Sequence, residues 1–209
     1  MGMARGGVPV AFEVAGALGS PLDVVVVRKL GHPSQPELGL GAIAEEGARL
    51  VNRELVARLG VTEDVVDAVA AEQTTELERR LRVYRRGRRP LPAAGRTAIV
   101  VDDGLATGFT ARAAVEVMRR RAADRVVLAV PVGPPDTVDE LRDVADDVVC
   151  VETTQRFFGL SEWYDDFAQV SDEEVARLLA LGADPGEPGD PGDLGDLGDH
   201  GGPADEARP

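Results

Sequence analysis

The sequence predicts an α/β fold, a mostly parallel sheet with helices on both faces and a small antiparallel hairpin beside it. Three observations carry this expectation. Short β-branched runs alternate with segments of helical periodicity, and continuous apolar strands separated by helices are the pattern of a parallel sheet buried on both sides. One of those runs, Thr97 to Val101, ends in two carboxylates and a Gly- and Thr-containing turn that leads straight into a helical pattern. The composition is globular up to about Gly182 of 209 residues, a length that suits one core with an appendage.

Taken in order, the strand candidates are Leu22 to Arg28 (LDVVVVR), Thr97 to Val101 (TAIVV), Arg125 to Val130 (RVVLAV) and Asp147 to Val151 (DVVCV). Helical periodicity places helices at Val8 to Leu18, Asn52 to Leu59, Thr62 to Arg86, Phe109 to Ala122 and Pro135 to Val144. A last helix, Asp172 to Leu181, opens with Ser171 and Glu174 at capping-box spacing. Ala42 to Val51 (AIAEEGARLV), with a turn at Glu46-Gly47, reads as the antiparallel hairpin. Only Met1 to Ala4 precede the Arg5-Gly6-Gly7 turn, so the sequence predicts a missing or truncated first strand, since strands average about five to six residues.

The domain is expected over residues 1–182 and a disordered tail over 183–209, where Gly, Pro and Asp dominate and too little apolar surface remains to offset the entropy of ordering. The whole chain carries a net charge of -14, half of it in that tail. An acidic body without a basic stripe argues against a nucleic-acid or anionic-membrane partner, because counterion release needs clustered Lys and Arg. A single cysteine, Cys150, excludes a disulfide framework, and its valine flank predicts a buried strand position. No run approaches a membrane span or a signal-peptide core, which makes the cytoplasm the expected compartment. His32 and His200 stand alone, without ligand spacing for zinc. Gly39 to Ala44 fits a loose G-x-G-x-x-A pattern, but it precedes a hairpin instead of opening a helix, which removes the dinucleotide reading.

The stretch Ile99 to Thr110 (IVVDDGLATGFT), followed by ARAAVEVMRRR, is an anion site by its physics. Successive turn amides make a concavity, the helix adds its positive end, and the hydroxyls of Thr107 and Thr110 add donors. Gly108 lets the backbone approach the anion. Asp102 and Asp103 cannot sit on the anion itself, so they face neutral hydroxyls or a cation.

Four apolar residues, two acids and a loop ending Thr-Gly-x-Thr resemble the signature of the type I phosphoribosyltransferases. The resemblance implies that Ala106, Thr107, Gly108, Phe109 and Thr110 bind the 5'-phosphate of 5-phosphoribosyl-1-pyrophosphate (PRPP), and that Asp102 and Asp103 hold the ribose hydroxyls. Arg5-Gly6-Gly7 resembles the family's pyrophosphate loop. Lys29, the one lysine against 22 arginines, ends the next strand where the family often places a basic residue. Val27 to Ala44, Tyr84-Arg85-Arg86, Ala129 to Gly133 and Trp163 to Ser171 extend the likeness to a bacterial subgroup of such enzymes.

What the resemblance implies is transfer of a phosphoribosyl group to a small, nucleobase-like acceptor with release of pyrophosphate. Asp102 and Asp103 would face the cationic ring, and Arg5, Lys29 and a Mg2+ held mainly through PRPP would face the leaving group. Gly31 to Gly41 is either a lid or an ordinary surface loop. Relatives acting on oxopurines carry an acid at the first loop position; Ala106 here leaves the general base unassigned. Five of the eight aromatic residues fall between 157 and 167. Phe157, Phe158, Trp163, Tyr164 and Phe167 either form a hood over the acceptor or seal a sheet edge or a homodimer contact. A second reading is a regulatory protein that binds PRPP without turning it over, since a ligand site does not fix function.

Overall fold

The computed structural model describes residues 1–157 and 159–182. The expected tail, 183–209, and Phe158 lie outside the described residues.

Five parallel strands form the central sheet: β1 (Gly2–Met3), β2 (Val24–Val25), β6 (Thr97–Val101), β7 (Arg125–Gly133) and β8 (Asp147–Thr153), in the order β2-β1-β6-β7-β8. A separate antiparallel sheet contains β3 (Val27–His32), β4 (Gln35–Ala44) and β5 (Arg49–Val51). Six α-helices lie among the described residues: α1 (Gly7–Leu18), α2 (Arg53–Leu59), α3 (Glu63–Arg85), α4 (Phe109–Arg120), α5 (Pro135–Leu141) and α6 (Asp172–Leu181). None of them is long and apolar enough to cross a membrane.

Two apolar clusters flank the sheet. On one face Ala111, Ala114, Val115 and Met118 of α4 and Leu141 of α5 pack on Val100, Val126, Leu128 and Val148. The other combines Val8 and Ala11 of α1 with Val24, Val101, Tyr84 of α3 and Val175, Leu178 and Leu179 of α6. Asn52 and Ser171 close the starts of α2 and α6 by accepting from the Leu55 and Glu174 amides, at 3.0 and 3.1 Å.

Four expectations take a different form here. The first strand is present, though two residues long: Gly2 N–H donates to Asp23 (2.8 Å), Ala4 N–H to Val25 (3.1 Å) and Val101 N–H to the Met1 carbonyl (2.8 Å), so its neighbours are paired at the sheet's centre. The valine run 24–27 divides between the two sheets at Val26, whose amide turns to the buried Glu45 carboxylate (3.0 Å). That carboxylate also receives Arg85 (2.7 Å) and Arg121 (2.6 Å), which ties the antiparallel sheet to α3 and to the end of α4. Gly31 to Gly41 is the arm of the β3–β4 hairpin, not an irregular loop. Finally, β8 is an edge strand, so Cys150 is only half-buried and its neighbours Val149 and Val151 are 49% and 80% exposed.

Candidate functional site

The loops after β1 and β6 meet at the carboxyl ends of the two central strands. From there the chain crosses from β1 to β2 on one side and from β6 to β7 on the other. Crevices at such a switch point are where open α/β sheets take their ligands.

The two loops interlock. A side chain on Gly6 would drive its Cβ into the Asp103 carboxylate, and one on Gly7 would meet the Val101 carbonyl at 2.5 Å and Asp102 Cα at 2.7 Å. Only glycine permits this approach. Within the acid pair, Asp103 N–H donates to Asp102 Oδ1 at 3.0 Å. Burial, and then the neighbouring Asp103 charge, push the Asp102 carboxyl well above the usual carboxylate range. Burial raises Asp103 as well, while the hydrogen bond from Asp102 favours its ionised form. Both carboxyls are thus pushed toward the protonated form by burial, Asp102 the more strongly.

Beyond the acids, Leu105 N–H anchors the loop to the Val132 carbonyl (2.9 Å), and Thr137 Oγ1 donates to the Ala106 carbonyl (3.0 Å). Ala106 and Thr107 are exposed, and Gly108 caps α4 in the left-handed region at φ 73°. Phe109 and Thr110 form the first turn of α4, whose leading amides have no acceptor within the helix. The loop is thus a set of backbone donors at the positive end of a helix.

A cleft of about 470 Å³ opens beside the acids, lined by Arg5, Gly6, Pro9, Val10 and Asp103 and by Tyr164 and residues 166–170. Tyr164 Oη donates to the Asp103 carbonyl (2.5 Å) and its ring lies 5.3 Å from that of Phe167. Burial first, then the Asp103 and Asp102 charges, push the Tyr164 phenol up to about 12.

Of the residues singled out from sequence, Arg5, Gly6, Asp103, Tyr164 and Phe167 line this cleft. Gly7 and Asp102 lie against one another and are not among its lining residues. Phe157 is half-buried and Trp163 exposed, and neither is among the lining residues. Lys29 is exposed on β3, opposite Ala42, where its ammonium donates to the Glu37 carbonyl of the same hairpin.

The basic residue that faces Arg5 is its neighbour Arg28, which donates to Gln73 Oε1 through Nε (2.9 Å) and Nη2 (2.6 Å). Burial, then the Arg80 charge and more weakly that of Arg5, lower its pKa. Strand alternation separates residues 28 and 29 onto opposite faces, a signal present in the sequence that does not say which face is which. Asp172, at the start of α6, accepts from Tyr84 Oη (2.6 Å) and Arg79 (2.8 Å) and lies 3.8 Å from Arg5.

Comparison with known proteins gives the geometry its context. The family model described as "Phosphoribosyl transferase domain" matches residues 1–166. Two Mycobacterium tuberculosis proteins, "Putative phosphoribosyl transferase MT0597" of strain CDC 1551 / Oshkosh and "Putative phosphoribosyl transferase Rv0571c" of strain H37Rv, are each 52% identical over 179 residues, 86% of this chain. The matched region spans 40% of the length of those relatives. The crystal structure of TT1426 from Thermus thermophilus superposes with a TM-score of 0.71 at 40% identity, covering 88% of this chain and 86% of that one. With the acid pair, the glycine turn and the helix-capping loop meeting at one sheet end, the chain belongs to the phosphoribosyl transferase domain family.

Proposed function

We propose that this chain transfers the phosphoribosyl group of PRPP to a small nucleobase-like acceptor, with Mg2+, releasing pyrophosphate. The observation that carries this is the interlock of the Arg5–Gly7 turn with Asp102–Asp103 beside the α4 amides. It gives one substrate three handles in sequence: a phosphate, a diol and a second anion.

In this reading Ala106 to Thr110 hold the 5'-phosphate through backbone amides and the Thr hydroxyls. Asp103, the cleft-lining member of the pair, faces the ring, which gains positive charge as the C1–O bond to pyrophosphate breaks. Arg5 and the Gly6 and Gly7 amides receive the departing pyrophosphate. Tyr164 fixes the Asp103 backbone through its hydrogen bond and, with Phe167, forms the wall on which a planar acceptor stacks. Among the described residues no group of three or more His, Cys, Asp or Glu side chains converges. That donor set fits a Mg2+ carried mostly by substrate oxygens and water, with Asp103 the cleft carboxylate that would hold it. When bound, the ion supplies charge neutralisation to the leaving group.

The test is a pyrophosphate-release assay with PRPP, Mg2+ and a panel of heteroaromatic bases, alongside calorimetric titration of ribose 5-phosphate and PRPP. Binding of both sugars with release for at least one base is the expected result. Absence of PRPP binding sinks the assignment, and tight binding with no release for any acceptor makes the chain a PRPP-binding regulator instead.

A further inference from the structure

Partly buried guanidiniums in this protein are matched with carboxylates: Arg85 and Arg121 with Glu45, and Arg80 with Glu76. Arg28 departs from that pattern. Its Nε and Nη2 both donate to Gln73 Oε1, at 2.9 and 2.6 Å, so a neutral amide fixes its direction. Among the described residues no carboxylate pairs with it, and its Nη1 donates to no protein acceptor. Taking a guanidinium out of water without an anion beside it is unfavourable, and a carboxylate ordinarily offsets that. Here the charge is oriented and left uncompensated.

Helix α3 sets this arrangement. Gln73, Glu76, Arg80 and Tyr84 recur at steps of three and four, which places them on one face of it. In the corner that this face shares with Arg5, four guanidiniums (Arg5, Arg28, Arg79 and Arg80) stand against two carboxylates, Glu76 and Asp172. Arg79 engages both carboxylates and Arg80 engages Glu76, whereas Arg5 reaches Asp172 only at 3.8 Å. The surplus positive charge therefore rests on Arg28 and Arg5. The two cations also feel one another: after burial, the Arg80 charge lowers the Arg28 pKa most, Glu76 opposes it, and the Arg5 charge lowers it further. Arg5 in turn lines the cleft.

A glutamate at position 73 could accept the same two hydrogen bonds and hold Arg28 in the same direction, but it would neutralise the guanidinium. The amide separates these two effects. On the footing of the function proposed above, the anion that a surplus of this kind suits is the pyrophosphate end of PRPP, which carries several negative charges close together. We propose that Gln73 is a positioning residue, which orients Arg28 through a neutral acceptor and thereby keeps its full charge for the pyrophosphate end of the substrate.

The experiment titrates the full chain calorimetrically with pyrophosphate and PRPP, each with Mg2+, and with ribose 5-phosphate, which has no pyrophosphate end. Gln73→Glu should weaken pyrophosphate and PRPP binding by about 10- to 100-fold, the range for losing a hydrogen bond to an ionised group, and leave ribose 5-phosphate within about twofold. A residue that only supported the fold would move all three ligands together. Gln73→Met keeps the length of the side chain and the charge of Arg28 but removes the acceptor, so its pyrophosphate affinity should fall between those of the unaltered chain and Gln73→Glu. Arg28→Gln removes the charge outright; it should match Gln73→Glu, and it carries the test if Gln73→Glu does not fold. Unchanged pyrophosphate affinity in the charge-removing variants, an equal loss for ribose 5-phosphate, or Gln73→Met as damaging as Gln73→Glu each overturns the inference alone. Pyrophosphate binding that depends on Gln73 in this way, in a chain that does not bind PRPP, overturns the proposed function and leaves Gln73 its role toward the anion. A chain that binds neither overturns both.

Discussion

The two ends of the parallel sheet are built from the same strands and do opposite things. At the carboxyl ends, the cleft of about 470 Å³ is lined by Arg5, Asp103, Tyr164 and Asp166. At the amino ends a smaller groove, about 220 Å³, is lined by Val14 and Leu18 of α1, Leu91, Ile99 of β6 and Met118 of α4. The difference follows from strand direction. Each strand that runs into a helix delivers that helix's amides, and its positive end, to the carboxyl edge. The opposite edge receives helix C-termini, such as the one α1 closes with Gly19 in the left-handed region at φ 59°. Chemistry and stability are thus separated along the strand axis, and substitutions at the two ends should separate as well.

The largest effect is expected at the apolar end. Met118 is fully buried, packs in the cluster beneath α4 and lines the groove. Met118→Ala should cost about 2–5 kcal/mol, through lost transfer energy and the cavity left behind. Thermal unfolding should shift down by roughly 5–15 °C for a domain of this size, while PRPP affinity of the folded fraction stays the same. A matching loss of affinity would show that the two ends are coupled.

The next effect belongs to the acid pair and reads out in rate. Asp103→Asn removes the carboxylate that lines the cleft, which should cost about 2–4 kcal/mol of barrier, a 30- to 1,000-fold fall in turnover, with a smaller change in PRPP affinity. Asp102→Asn replaces the member outside the cleft lining, packed against Gly7, and turnover should fall less. If the Asn variants bind weakly but turn over normally, the carboxylates only hold hydroxyls and the electrostatic role is wrong. Gly108→Ala comes third. Forcing a side chain into the left-handed backbone at φ 73° costs about 1–2 kcal/mol, and the new Cβ would lie 3.0 Å from Thr137 Cγ2. Because the 5'-phosphate keeps its charge through the reaction, affinities for ribose 5-phosphate and PRPP should fall by the same factor, with kcat unchanged. Unequal losses would place the loop's contribution in the transition state.

The parts of this division that are legible in the sequence are those with a local signal. The helices have strong apolar periodicity and two of them have side-chain caps, Asn52 and Ser171, so their bounds read within a few residues. The acid pair and the Thr-Gly-Phe-Thr loop are contiguous, which makes them visible without any structure. What fails to read is what depends on distant partners. Four consecutive valines have no period, and the break between β2 and β3 is set by Glu45, 19 residues away, claiming the Val26 amide. A two-residue β1 falls below any periodic signal, although it is an interior strand paired on both sides, between β2 and β6. The run VVCV is as apolar as a central strand, and only the topology makes it an edge. The surroundings of Arg28 are hidden in the same way, since they depend on Gln73 and Arg80 coming from α3.

The smallest expected effect lies on the seam between the site and its support. Asp172 joins α6 to Tyr84 and Arg79 of α3 and reaches toward Arg5 of the turn after β1. Burial raises its pKa, but the hydrogen bonds from Tyr84 and Arg79 and the charges of Arg79 and Arg80 outweigh that and hold it below the usual 3.8. A carboxyl depressed on folding stabilises the protein above its unfolded pKa, and that stability is lost as pH falls through the folded value. The contribution should therefore be constant from neutral pH to about 5 and disappear progressively below about 4. Half-exposed Arg79 and solvent screening keep it to about 1 kcal/mol. Asp172→Asn should lower stability by that amount at pH 7 and by almost nothing at pH 3, as read by urea unfolding at the two pH values. Tyr84→Phe, which removes only the buried hydroxyl, should show part of the same pH-dependent loss. A loss that is equal at both pH values would mean that Asp172 acts through the start of α6 alone, and that Arg5 is oriented without it.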